Sequence, residues 1–215
     1  MNILNINFLL IVILYLIVFG IGEVLYQINL ASYITRKVVH IGGSIVAALM
    51  PLFINLQGVV VLGIFFFLLL LFSKRYKVLK SVHENDTGSH GAFLFPITII
   101  FVALLFWSYN PVIFQGAILI LGFSDGMAGI IGNRYGKHKY NLTGLKTVEG
   151  SLTFFLVTLF IFSSLLIHES NFSLNKIQAV LMGTLAVTLV ESLFSKGWDN
   201  VFVPISSGIV LYFIL

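Results

Sequence analysis

No cysteine occurs among the 215 residues. Its absence removes disulfides, thiolate nucleophiles and cysteine-ligated zinc or iron–sulfur centres together. Charge is nearly as scarce. Only 9% of residues are Asp, Glu, Lys or Arg, while 59% are hydrophobic and the mean hydropathy is +1.06. A water-facing surface cannot be made from that composition, so lipid must solvate the chain. The P-loop pattern Gly-x-x-x-x-Gly-Lys-[Ser/Thr] is missing too, which leaves any phosphate chemistry to be done by another arrangement. A net charge of +4 and a pI near 9.3 do not call for nucleic acid as a partner, because basic residues between apolar runs set membrane topology.

What is present is a series of apolar runs near 3–22, 38–54, 56–72, 92–107, 112–132, 149–167, 177–194 and 201–215. A bilayer core takes about 20 residues of helix, sometimes as few as 17. The chain therefore reads as one all-α domain over 1–215, a polytopic transmembrane bundle of seven or eight spans. The first run lacks a basic leader and a small-residue cleavage site, and is read as a retained helix. With the N-terminus exoplasmic, every lysine and arginine except Lys176 falls on the cytoplasmic side, as the positive-inside rule expects. Both termini are then exoplasmic.

The acids sort to the same face. Glu23, Glu84, Asp86, Asp125, Glu149, Glu191 and Asp199 lie on or near the cytoplasmic side, and only Glu169 lies opposite. No topology rule requires that. Acids gathered beside bases suit a site that holds a metal and phosphates, each sign offsetting the cost of the other. Solvated loop charges are the plainer reading.

Asp125 is the most informative position. It sits about seven residues, roughly 10 Å at 1.5 Å per residue, inside the fifth run. A carboxylate at a helix centre costs about 2.5–3.5 kcal/mol on insertion scales, so it should line a polar cavity or meet a cation. After it the sequence runs through small residues into Gly132, Gly136, Lys137, His138 and Lys139. Small residues spaced by four let another helix approach closely. Glycines also let backbone N–H groups reach phosphate oxygens, with the lysines as countercharge. Lys146, Thr147 and Glu149 then open the sixth run, where a helix N-terminus favours anions. Glu149 either holds magnesium with Asp125 or complements that helix end. Arg36, Lys37 and His40 share a helical face at the start of the second run and could grip a phosphate or a lipid hydroxyl. Glu191, Asp199 and Asn200 flank the last cytoplasmic turn, and a turn at Glu84 ends a basic amphipathic stretch over 73–90.

Taken together, Arg36-Lys37-x-x-His40, Asp125-Gly-x-Ala-x-x-x-Gly132-x-x-x-Gly136-Lys-His-Lys139, Lys146-Thr-x-Glu-Gly-Ser151, and Glu191 with Asp199-Asn200 and Pro204 resemble the CTP-dependent polyprenol kinase family. Phytol, farnesol and dolichol kinases and the CTP-dependent diacylglycerol kinase of yeasts belong to that family. The resemblance implies transfer of the γ-phosphate of CTP to a long-chain, phytol- or prenol-type alcohol in the bilayer, at the cytoplasmic face, with Mg2+ or another divalent cation. It makes Asp125 the main metal ligand or base, and Glu149 the second ligand. Lys137, Lys139 and Lys146 become phosphate contacts, beside a nucleotide loop of Gly132, Gly136, His138 and Thr147. Arg36, His40, Glu191, Asp199 and Asn200 join the site without a fixed role, and Lys37 and Glu84 are further candidates.

Two other readings stay open. A CTP-dependent cytidylyltransferase of the phosphatidate type shares the nucleotide and the membrane, but its Gly-His-Gly-Gly and Asp-Arg-x-Asp elements are absent. A transporter would use Asp125 as an ion site and the glycines as helix breaks, and no inverted repeat supports it.

Overall fold

A computed structural model describes residues 6–83, 90–168 and 173–215. Its long helices are α1 (Ile6–Gln27), α2 (Ser32–Phe53), α3 (Leu56–Arg75), α5 (Gly91–Phe106), α6 (Pro111–Leu119) continuing into α7 (Asp125–Tyr135), α8 (Val148–His168), α9 (Leu174–Leu193) and α10 (Asp199–Ile214). A single turn, α4 (Lys80–His83), follows α3. Among the described residues six helical segments are long and apolar enough to cross a membrane, with α6–α7 counted as one, while α5 and α10 are apolar but shorter. The all-α membrane bundle expected from the sequence is the fold that forms.

The turns follow from local chemistry. The side chains of Asn55, Asn110 and Ser173 accept hydrogen bonds from the first free N–H groups of α3, α6 and α9. These are N-caps, which fix where each helix starts. Pro111 follows its cap at the first helical position, where a missing N–H costs nothing. Successive long helices alternate in direction. The chain ends near Gln27, Ser32, Arg75, Gly91, Tyr135, Val148, Leu193 and Asp199 therefore gather at one end of the bundle, called here the polar end.

Three local expectations change. The second helix begins at Ser32 rather than 38, so Arg36, Lys37 and His40 lie within it. Charged residues survive there because they face an internal cavity. The 73–90 segment is helical only as the end of α3 and as α4 among its described residues. Between α7 and α8 the chain forms a hairpin, β1 (Lys139–Asn141) against β2 (Leu145–Thr147), with Tyr140 opposite Lys146. Lys146 and Thr147 thus precede α8 rather than open it.

The core runs through the bundle from Ile11 and Tyr15 on α1 to Leu211 and Ile214 on α10. Many large apolar residues point outward, such as Leu16 on α1 and Phe160 on α8. That is the surface a lipid-solvated bundle presents.

Candidate functional site at the polar end of the bundle

The α6–α7 span is interrupted by a π-helical turn, Ile120–Ser124, directly before Asp125. Single π turns inside helices re-aim the residues that follow and recur at functional sites. Ser124 is fully buried and its hydroxyl accepts from Thr158 of α8, 2.9 Å away. On the other side α2 packs tightly. A Cβ at Gly122 would strike Ser44, one at Gly126 would strike Ile41, and one at Gly129 would strike the stem of Lys37. The missing side chains let two helices approach, and at Gly129 they give the lysine stem a bed across α7.

That bed delivers the charge. Lys37 Nζ donates to Asp125 Oδ2 at 2.6 Å, and His40 Nε2 lies 3.4 Å from the same oxygen. His40 Nε2 also lies 3.0 Å from the carbonyl of Leu121. A carbonyl only accepts, so the hydrogen-bond network assigns the proton to Nε2 and leaves Nδ1 as the acceptor of the neutral ring. Asp125 is 6% exposed and pays for its depth with this lysine and histidine.

A second network lies beside the first. Lys146 Nζ donates to Glu191 Oε1 at 2.6 Å and to the Glu191 backbone carbonyl, and stands 3.8 Å from Asp199 Oδ2. Ser151 bonds the other Glu191 oxygen, and Tyr140 bonds Ser151. Burial works against the Lys146 charge, but Glu191 and then Asp199 outweigh it and hold the ammonium pKa above its ordinary value. The hairpin is pinned over these residues. Thr143 donates to the Leu193 carbonyl, and Ser195 donates to the Thr143 carbonyl.

Between the networks opens a cavity of about 770 Å³. Its polar part is lined by Arg36, Lys37, His40, Asp125, Asp199 and Asn200, with Asn133 and Lys196 also on the wall. Gly197 adopts φ +95° and sits against the backbone of Gly91, where a Cβ would collide. His90 N–H donates to the Lys196 carbonyl, and Asn200 donates to the Gly91 carbonyl at 3.0 Å. These contacts lock the start of α10 onto the start of α5 and hold Asp199 at the wall.

The structure therefore brings Arg36, Lys37, His40, Asp125, Asp199 and Asn200 onto one cavity, with Lys146 and Glu191 packed behind Asp199. It does not bring Glu149 there. Glu149 accepts from the backbone N–H of His138 and pairs with its Nδ1 at 2.8 Å. Lys137, His138 and Lys139 lie exposed around the hairpin. Gly132 and Gly136 serve close packing, since a Cβ at either would press on Thr147, whose hydroxyl caps the N–H of Gly150. Glu84 lies outside the described residues. Asn133, Lys196 and Gly197 went unnoticed in sequence. The glycine beside Lys196, two residues before Asp199, was the one local signal for them.

Among the described residues no group of three or more His, Asp and Glu side chains forms a metal cage. A magnesium-type ion does not need one, because it is commonly held by one or two carboxylates with phosphate oxygens and waters completing the shell. Asp125 and Asp199 on one wall fit that donor set.

No protein-family model and no solved structure matches the chain. Curated proteins do. The chain is 30% identical over 198 residues to a phytol kinase of Synechocystis sp., covering 89% of this chain and 84% of that one. It is 27% identical over 146 residues to phytol kinase 1, chloroplastic, of Arabidopsis thaliana, covering 63% of this chain and 48% of that protein. The chain thus matches most of the cyanobacterial relative and about half the length of the plant one.

Proposed function

Because the chain belongs to the phytol kinase family, we propose that it transfers the γ-phosphate of CTP to the hydroxyl of a membrane-embedded prenyl-type alcohol, releasing CDP and a lipid monophosphate. The observation that carries the reading is the cavity itself. One end is walled by Arg36, Lys37, His40, Asp125 and Asp199, and the rest by apolar side chains such as Phe66, Leu70 and Ile99. A phosphate donor and a lipid acceptor need those two environments side by side. The nucleotide base is taken from the family resemblance. The polar end is proposed to face the cytoplasm, since the lysines and arginines other than Lys176 gather there.

Phosphoryl transfer asks a protein mainly to position the reactants and to neutralise charge. Arg36 and Lys37 supply charge-assisted donors to the donor's phosphate oxygens. The acceptor hydroxyl enters from the apolar side and meets Asp125. As its oxygen bonds to the γ-phosphorus, the bond from that phosphorus to the β–γ bridging oxygen breaks, and the hydroxyl proton passes to Asp125. His40, tied to Leu121 and to Asp125, keeps the carboxylate in place. A divalent cation held by Asp125 and Asp199 would offset the negative charge gathered on the phosphates. Lys146 neutralises Glu191 and steadies Asp199 from behind. The exposed Lys137 and Lys139 add positive charge at the polar end, favouring the approach of a polyanion.

The test is to incubate purified protein with Mg2+, a prenyl alcohol and each of four γ-labelled nucleotides. Label entering lipid, with CTP the best donor, supports the proposal. Absence of transfer from every nucleotide, in protein shown to be folded, overturns it.

A further inference from the structure

Several hydroxyl groups in the long helices turn back on their own helix. Thr153, Ser164, Thr184, Thr188 and Ser207 each donate to the carbonyl four residues earlier. That is an ordinary way to satisfy a hydroxyl on a helix. Thr158 on α8 departs from it. Its Oγ1 donates across to Ser124 Oγ at 2.9 Å, and both residues are fully buried. A bond between two helices therefore stands where a bond within one helix was open to the same side chain.

Ser124 ends the π turn, and Asp125 follows directly. A π turn closes its hydrogen bonds one residue later than an α turn, so the helix after it is rotated relative to the helix before it. In a continuous α-helix the Asp125 N–H would donate to the Leu121 carbonyl. Here it donates to the Gly122 carbonyl, and His40 Nε2 meets the Leu121 carbonyl instead, at 3.0 Å. Gly122 itself lies against Ser44. The turn is thus held from two sides, by His40 and Ser44 of α2 and by Thr158 of α8. Straightening it would shift the register by one residue, about 100° of rotation and about 1.5 Å of rise. A rotation of that size moves a side chain to another face of the helix, which takes the Asp125 carboxylate away from Lys37 and off the cavity wall.

We infer that Thr158 is a positioning residue for Asp125, acting through Ser124: the hydroxyl pair latches the π turn and so aims the carboxylate into the cavity. The effect on catalysis rests on the kinase reading above. The aim of residue 125 stands apart from it.

The two hydroxyls can be removed with different consequences for the fold. Thr158→Val keeps the shape of the side chain but leaves the Ser124 hydroxyl in an apolar core without its partner. Ser124→Ala leaves Thr158 able to donate to the Phe154 carbonyl, as Thr184 does to that of Val180. No buried group is orphaned, so this variant should keep its melting temperature and decides the matter even where Thr158→Val folds poorly.

The first experiment measures kcat and KM for phosphate transfer. Ser124→Ala and Thr158→Val should each lower kcat by at least about tenfold, the scale of a misplaced catalytic group, with the KM for nucleotide little changed. Thr158→Ser keeps the hydroxyl and should recover most of the loss. The double variant should be no slower than the slower single one, because the two side chains make one bond. Unchanged kcat in Ser124→Ala, or losses that multiply in the double variant, would overturn the latch.

A second measurement needs no turnover. The chain has no cysteine, so Asp125→Cys introduces a single thiol. On the cavity wall, near Arg36 and Lys37, it should react readily with a small anionic thiol reagent. Adding Ser124→Ala or Thr158→Val should slow the reaction by at least about tenfold, as a thiol turned into apolar surroundings is inert, and adding Thr158→Ser should not. A thiol that fails to react in the otherwise unchanged protein, or equal rates in all four proteins, would overturn the inference whether or not phosphate is transferred. Slowed labelling in a protein that transfers no phosphate would support the latch and overturn the kinase reading alone.

Discussion

Lys37 Nζ lies 2.6 Å from Asp125 Oδ2, joining α2 to the middle of the α6–α7 span across 88 residues of sequence. The pair holds the carboxylate at the cavity wall. Asp125→Asn keeps the shape but loses the charge and the proton acceptor. Transfer should fall by on the order of 10²–10⁴-fold, with the variant still inserted and monodisperse in detergent. Unchanged kcat in purified Asp125→Asn would remove Asp125 from the mechanism.

Gly129 tests the route by which the lysine arrives. A Cβ there meets Lys37 Cε and comes within 3.1 Å of Nζ. Gly129→Val should displace the ammonium and cost on the order of 10²-fold in kcat/KM through mispositioning, while Gly129→Ala costs less. Helical content by circular dichroism checks that the bundle survives. Full activity in Gly129→Val would show that the bed is not needed.

Lys146 and Glu191 form a buried pair, with side chains 13% and 7% exposed. Removing only the lysine leaves an uncompensated carboxylate, a loss of about 3–5 kcal/mol in comparable cases, whereas replacing both partners by apolar residues is often neutral. Lys146→Met should therefore lower the detergent melting temperature clearly, and Lys146→Met with Glu191→Met should recover most of it. The folded pKa of Lys146 lies above its ordinary 10.5. Its contribution to stability is then complete below that value and lost only as pH rises through the folded pKa. A melting temperature that fell between pH 7 and 9 in the parent but not in the double variant would contradict this account.

The two carboxylates offered to a divalent ion can be separated from Glu149. Asp199→Asn should raise the Mg2+ concentration for half-maximal transfer by at least about tenfold. Glu149→Gln, which loses a contact to His138 outside the cavity, should shift it far less. The reverse order would place the ion at the hairpin.

Much of the bundle was readable because apolar length is a local property. The helix boundaries that were missed depend on distant partners. Apolar length alone starts the second run after Arg36 and Lys37, and the start of α2 at Ser32 makes sense only once Lys37 is seen to meet Asp125 across an internal cavity. The depth of Asp125 was plain from its place in the span, but Lys37 as its partner was not. The glycines admitted two readings. Packing against Ser44, Ile41, Lys37 and Thr147 decides for close approach at Gly122, Gly126, Gly129 and Gly132. Three-residue strands carry too little alternation to announce a hairpin, so Lys146 was placed on the wrong element and its bond to Glu191 stayed out of sight.

The most direct test of the central claim is a paired labelling experiment with a prenyl alcohol, Mg2+ and CTP labelled at either the α- or the γ-phosphate. Transfer of the γ label alone into a lipid monophosphate, with CDP released in equal amount and both lost in Asp125→Asn, is the predicted result. Entry of the α label into lipid with release of pyrophosphate, or γ transfer that persists undiminished in Asp125→Asn, would contradict it.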